Sequence, residues 1–218
     1  MSLTRELPPK PITAVADVGH SEAFIPYPPI GEKLQHVPIH VRPDVFYYQA
    51  RMAFLPNAIK LYLHIPWTAE HLMRLNNAVM RDERNALDEE LKYRLALVAS
   101  QVNGCAYCTS HHACTLHRRW GYQDAQLAET LDPESPRDER QALAMQFVRE
   151  ASRDASAVTD DLRAELARLF TPQEVMEIVL VIGFWKMYNT MHNAMNVPIE
   201  DPALGYADWV NFQKRVDG

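Results

Sequence analysis

Residues 103–121, NGCAYCTSHHACTLHRRWG, hold all three cysteines of this 218-residue chain and three of its nine histidines. Cys105 and Cys108 are two residues apart, the spacing at which thiols in the first turn of a helix can close a disulfide. Gly104 ends whatever helix precedes them, so Cys105 falls at or beside the N-cap of a new helix and Cys108 in its first turn. Unsatisfied backbone N–H groups at such a terminus carry partial positive charge and favour a thiolate. His112, four residues beyond Cys108, shares its helical face. An imidazole there can take the thiol proton or, once charged, stabilise the sulfur anion. A nucleophile, a base and a second sulfur to resolve a sulfenic acid are the parts of a thiol redox centre.

Two other chemistries use the same residues. Cys105, Cys108 and His112 could hold zinc, with Cys114 or His117 as a fourth ligand. Cys114, six residues beyond Cys108, turns away from that face, which makes tetrahedral closure from one helix awkward. Unpaired cysteines also pack as small hydrophobes, the simplest reading of Cys114. His117, Arg118 and Arg119 read as favourable charges in the last helical turn.

Composition narrows the setting. The chain is 47% hydrophobic and 23% charged, with a net charge of −6. No Lys/Arg stripe with interleaved aromatics accompanies that charge, which argues against a nucleic-acid surface. The first residues, MSLTRELPPKP, have no apolar core of a secretory signal. The run IVLVIGFW is far too short to span a bilayer. The expected setting is cytoplasmic and reducing, where a tight cysteine pair is better read as redox or metal chemistry than as a staple.

The elements that must position this segment read as helices almost throughout. Residues 44–66 form two short helices, broken before Pro56 and before Pro66. A helix capped by Thr68 follows, with Leu72, Leu75 and Val79 on one face. The next starts at Asp88 and stops at Asn103–Gly104. The cysteine helix closes at Gly121, and a short helix covers about residues 123–131. Ser135 and Pro136 read as a cap and first helical position, Thr159 as another cap, and Thr171 with Glu174 as a capping box. The helix after Thr171 is apolar nearly all round, so it belongs in the core or at a subunit interface. No alternating strand pattern of useful length occurs. The fold class is all-α.

Eight of the fifteen prolines lie in residues 1–43. That density blocks helix and sheet alike, so these residues read as an extended arm, packed either on a neighbouring subunit or on the chain's own body. The helical domain then covers residues 44–200. Residues 201–218 form a tail whose Tyr206, Trp209 and Phe212, at near-helical spacing, dock it on the body.

VASQVNGCAYCTSHH resembles the core signature of the AhpD-like alkylhydroperoxidase and carboxymuconolactone decarboxylase superfamily. Asn103, Cys105, Tyr107, Cys108, His111 and His112 fall in register with it, and the likeness extends over roughly residues 54–197. The resemblance implies a two-lobed, often oligomeric helical bundle. In its peroxidase branch it implies Cys108 as the attacking thiol, Cys105 as the resolving thiol and His112 as the proton relay. The glutamate of that relay belongs twelve residues before the first cysteine, where this chain has Tyr93. Glu89 and Glu90 lie about one helical turn earlier, with Glu90 three residues before Tyr93; either is a candidate substitute, the alternative being that the relay is absent. Tyr188 and His192, with Trp185 one turn before, could line a pocket facing the cysteine helix, along with Tyr107 and His111.

The expected activity is thiol-dependent reduction of a hydroperoxide through a Cys105–Cys108 disulfide, without an added cofactor. An external thiol would recycle it, and the protein would be a homo-oligomer. The alternative is a non-redox decarboxylase or lyase acting on a small cyclic acid or lactone, with His112, Tyr93, Tyr188 or His192 as acid and base.

Overall fold

Leu95, Ala96, Leu97, Val98 and Ala99 are all fully buried, so the helix that carries them has no solvent face at its middle. That helix is the hub of the computed structural model, which describes residues 22–135 and 137–205. In chain order the helices are α1 (Arg42–Met52), α2 (Asn57–Tyr62), α3 (Pro66–Arg81), α4 (Glu89–Val102) and α5 (Ala106–Trp120). They continue as α6 (Asp124–Leu131), α7 (Glu139–Asp154), α8 (Asp160–Leu169), α9 (Pro172–Ala194) and α10 (Asp201–Leu204). A 3-10 turn (Ala155–Ala157) follows α7, and no strand occurs among the described residues. The all-α expectation holds. The central α4 packs against α3, α5, α6, α7 and α9.

Local chemistry sets most of the boundaries. The Asp88 carboxylate caps α4 by accepting from Leu91 N (2.7 Å). Thr159 caps α8 in the same way. At α9, Thr171 Oγ1 accepts from Glu174 N while Glu174 Oε2 accepts from Thr171 N (2.8 Å), a complete capping box.

Two expected starts are displaced. The third helix begins at Pro66 rather than after Thr68, because proline at the first helical position needs no N–H partner and already has a helical φ. The seventh begins after Asp138, whose carboxylate accepts from Gln141 N (2.8 Å), rather than after Ser135. Pro136 lies outside the described residues.

A buried ion pair fixes α4 against α9. Lys92 Nζ donates to Glu177 Oε2 (2.8 Å) and to Val79 O (3.0 Å), and Glu177 also accepts from the Ala86 and Leu87 amides (2.7 and 3.0 Å). With two acceptors on the ammonium and several donors on the carboxylate, the pair tolerates its burial. It sets the register in which Tyr93 on α4 and Trp185 on α9 both pack against His112.

Helix α9 buries Ile178, Val181 and Ile182 and leaves Met176, Val179, Leu180 and Met187 exposed on its other side. It therefore serves the core with one face only. Residues 22–41 form no helix, yet Leu34, Val37 and Val41 are buried against α1 to α3. Of the two placements expected for the arm, this part lies on the chain's own body, tied at Phe24 N to Met195 O (2.9 Å). Residues 1–21 and the tail aromatics Tyr206, Trp209 and Phe212 lie outside the described residues.

Candidate active site

Three residues, Asn103, Gly104 and Cys105, separate α4 from α5. Asn103 is the last right-handed residue, and Gly104 takes φ +65°, a conformation that strains any side-chain-bearing residue. Gly104 N and Cys105 N then return to Gln101 O and Ser100 O (both 3.0 Å). This closure folds α5 back on α4 and makes Cys105 the N-cap of α5. Its Sγ accepts from Cys108 N (3.3 Å), as a serine cap would.

Cys108 Sγ lies 3.0 Å from His192 Nδ1, in the last turn of α9. The other ring nitrogen, Nε2, is hydrogen-bonded to Tyr62 Oη of α2. The expected contact between Cys108 and His112 is not made. His112 turns instead onto the edge of Trp185 (ring centroids 4.0 Å), and its Nε2 has no hydrogen-bond partner. A shared helical face brings residues near one another, but here α9 crosses α5 closely enough to place a different imidazole on the sulfur.

Cys108, His112 and His192 line one cavity of about 90 Å³, together with Tyr62, Tyr93 and Trp185. Tyr107, Tyr188 and His111 also reach its wall, as does Arg81. Trp185, Tyr188 and His192 thus lie around the same cavity as Cys108. Glu90 is not part of it: its carboxylate accepts from Tyr122 Oη (2.6 Å). At the expected relay position, Tyr93 Oη accepts instead from Arg81 Nη2.

An acid from the far end of the sequence reaches this region. Glu200 immediately precedes α10; its Oε2 lies 2.6 Å from His111 Nε2, and its Oε1 accepts from Tyr107 Oη (3.1 Å) and from Asn57 N. Burial alone would raise its carboxyl. The neighbouring His111 and the hydrogen bonds it receives outweigh that and hold it below the ordinary carboxylate range. Sequence reasoning missed Glu200, Tyr62 and Arg81, since none belongs to the cysteine motif. The contact of Asn57 with Glu200, 143 residues apart, leaves no local signal.

The electrostatics differ from the helix-terminus expectation. Burial pushes the Cys108 thiol well above its ordinary value, and the adjacent Cys105 sulfur adds to this. Burial also drives His192 down to about 3 and His112 well below 6.5. At neutral pH the resting arrangement is then a thiol donating to a neutral imidazole. Its Nε2–H donates to Tyr62, leaving the tyrosine hydrogen for the cavity. Cys105 Sγ, Cys108 Sγ and His192 Nδ1 lie within 4.8 Å of one another, so a metal ligand set at this place is this one rather than one containing His112.

A pH dependence of stability follows. Both histidines stay neutral when folded, whereas an unfolded chain protonates them below about 6.5. Their stabilising contribution is thus complete above that value and is lost as the pH falls toward 3. Urea unfolding at pH 7 and pH 5 is expected to show a loss of about 4 kcal/mol, shared between the two rings. His112→Phe, which keeps a ring against Trp185, should remove roughly half of that difference. Equal stability at the two pH values would show that these rings are not buried in neutral form.

Residues 66–150 match the Carboxymuconolactone decarboxylase family. The chain is similar to the uncharacterized protein YnjA of Escherichia coli (strain K12), 23% identical over 168 residues, which cover 77% of this chain and 92% of YnjA. Among solved structures it is similar to an AhpD-core, peroxidase-related protein from Ralstonia eutropha JMP134. The TM-score is 0.75 at 18% identity, covering 86% of this chain and 97% of the other. The debrominase Bmp8, solved in complex with 2,3,4-tribromopyrrole, gives a TM-score of 0.73 at 20% identity, covering 88% and 99%. The family match thus lies on residues 66–150, and the fold is that of the AhpD-core structures. No helix among the described residues is long and apolar enough to cross a membrane.

Proposed function

We propose that the protein is a thiol-dependent reductase of a small organic hydroperoxide. Cys108 sulfur attacks the terminal peroxide oxygen, the O–O bond breaks, and Cys108 becomes a sulfenic acid while an alcohol leaves. The thiol proton passes to His192 Nδ1, the Nε2 proton moves to Tyr62, and the Tyr62 hydroxyl hydrogen goes to the leaving alkoxide. Each group accepts one proton and releases another, so no lasting imidazolium is needed in a site that disfavours it. Cys105 then displaces water from the sulfenic acid, forming the disulfide, and an external thiol returns two electrons.

The observation that carries this reading is the Cys108 sulfur in the cavity wall, on a His192–Tyr62 chain and with Cys105 Sγ within 4.8 Å. The likeness to an AhpD-core, peroxidase-related protein supports it. The test is a free-thiol count with intact mass, before and after one equivalent of cumene hydroperoxide. Loss of both thiols and of two hydrogen masses in wild type, but not in Cys108→Ser, is the expected result. Thiols that ignore the peroxide at neutral pH would overturn it.

A second reading rests on the partnerless Nε2 of His112 in the same cavity and on the family match. There His112 acts as the base of a non-redox decarboxylase or lyase. Turnover that survives Cys108→Ser and fails in His112→Ala would favour it.

A further inference from the structure

Cys105, Cys108 and His192 bring together more than a redox pair needs. Their two sulfurs and Nδ1 lie within 4.8 Å of one another, and the three residues are 0%, 1% and 5% exposed. Tetrahedral zinc, with bonds of about 2.3 Å to sulfur and about 2.0 Å to imidazole nitrogen, sets such ligand atoms about 3.6–3.8 Å apart. The 3.0 Å contact between Cys108 Sγ and His192 Nδ1 has to open by about half an ångström to meet that spacing, once the thiol proton between them is gone. Cys114 takes no part, since its Sγ donates to Pro202 O (3.6 Å).

The surroundings suit a metal-bound imidazole. A ligating histidine donates its other ring N–H to a fixed acceptor, which sets its tautomer and orientation. Here Nε2–H donates to Tyr62 Oη, leaving the Nδ1 lone pair on the side of Cys108 Sγ. The rings of Tyr62, Tyr107 and Tyr188 pack against the imidazole (centroids 5.9, 5.0 and 5.5 Å), so it loses little freedom on taking a ligand. Cys105 Sγ accepts from Cys108 N (3.3 Å), a bond that strengthens when the sulfur is a thiolate. Two thiolates cancel the charge of a divalent ion, so the filled site is neutral where burial penalises net charge. A monovalent ion such as Cu(I) leaves one negative charge over. Cys108 and His192 line the cavity of about 90 Å³, which has room for a water at the fourth position.

We propose that the reduced chain binds one Zn²⁺ through Cys105 Sγ, Cys108 Sγ and His192 Nδ1, with a water in the cavity as the fourth ligand. The ion displaces both thiol protons to solvent, and no electron is transferred. It occupies the attacking sulfur, the resolving sulfur and the base at once, so the zinc form is inert toward peroxide. The disulfide form has no thiolate to offer and does not hold the ion. Zinc binding goes beyond the reductase reading and does not depend on it, because it needs the thiols reduced and not their reaction with peroxide.

The test titrates zinc alone into the reduced, metal-free full-length chain, in competition with a chromophoric chelator. One equivalent bound at pH 7 with a Kd below about 1 µM is the expected result. Cys105→Ser, Cys108→Ser and His192→Gln should each weaken binding by about a hundredfold or more, whereas Cys114→Ser and His112→Phe should bind zinc as wild type does. Tyr62→Phe, which deletes only the acceptor of Nε2–H, should weaken it by about tenfold. Should a ligand variant fail to fold, protection of the wild-type thiols decides: one equivalent of zinc should slow their alkylation by iodoacetamide about tenfold or more. An unchanged alkylation rate overturns the proposal, as does the absence of stoichiometric zinc or binding that survives Cys108→Ser or His192→Gln. Thiols that ignore peroxide in the metal-free chain while zinc still binds would fail the reductase reading and leave the zinc site standing. Thiols that oxidise in a chain that ignores zinc would do the reverse.

Discussion

Replacing Cys108 with serine is expected to lower organic-hydroperoxide reduction by about a thousandfold or more, with the fold intact. The substitution changes one atom in a packed wall, so the helix and the cavity should survive it. It removes the nucleophile, because a serine hydroxyl is a far weaker attacking group than a thiol and forms no sulfenic acid. Cys105→Ser should behave differently. The first attack on peroxide proceeds, the sulfenic acid at Cys108 has no resolving sulfur, and turnover stops after one equivalent. Stopped-flow peroxide consumption with mass analysis separates the two variants. A Cys105→Ser protein that consumes no first equivalent, beside an active Cys108→Ser protein, would reverse the assigned roles. The burial-raised Cys108 thiol also implies that its reaction with a neutral alkylating agent is slow at pH 7 and accelerates at alkaline pH.

The second large effect is expected at the proton chain. Tyr62→Phe keeps the ring that stacks on His192 (centroids 5.9 Å, 19° between planes) and deletes only the hydroxyl. Removing a positioned proton donor typically costs about a hundredfold or more, and kcat/KM for hydroperoxide should fall by that amount. Alkylation of Cys108 by iodoacetamide should barely change, because iodide leaves without a proton. His192→Gln should slow both reactions, since the thiol then has no base. If Tyr62→Phe and wild type reduce peroxide equally, the tyrosine is a packing residue and the leaving group takes its proton from solvent.

The glutamate expected twelve residues before Cys105 is absent, and nothing at Tyr93 replaces its charge. What stands nearby is a tyrosine bonded to a buried arginine on one side of the cavity and a His192–Tyr62 chain on the other. Glu200 holds His111 and Tyr107 at the first turns of α5, which positions the cysteine helix without touching either sulfur.

Much of this protein is legible along the chain because the relevant forces act over a few residues. Asp88, Thr159 and Thr171 cap their helices through backbone groups three positions ahead, so their types and spacing suffice to place those starts. Asn103 and Gly104 dictate a reversal because the left-handed backbone there needs glycine. That reversal alone makes Cys105 a cap and puts Cys108 one turn inside the helix. The same locality explains the misplaced starts at Thr68 and Ser135, where Pro66 and Asp138, only a few residues away, offered better termini.

Partner choice is another matter. His112 and His192 are both histidines at suitable distances from an end of their helices, and proximity in sequence favours the first. The choice of His192 depends on how closely α9 crosses α5, which follows from the filling of the core around α4 and from the buried Lys92–Glu177 pair. Burial likewise decides the charge states: a helix terminus in water favours a thiolate, but the same terminus inside the protein loses more by desolvation than it gains. The all-α class, the helix that carries the two cysteines and their place at its start all follow from hydrogen bonding over a few residues, and so can be read along the chain. Which imidazole faces the sulfur, and that Arg81 reaches the cavity, come from packing, because those contacts join side chains whose separation along the chain carries no information about their distance in space.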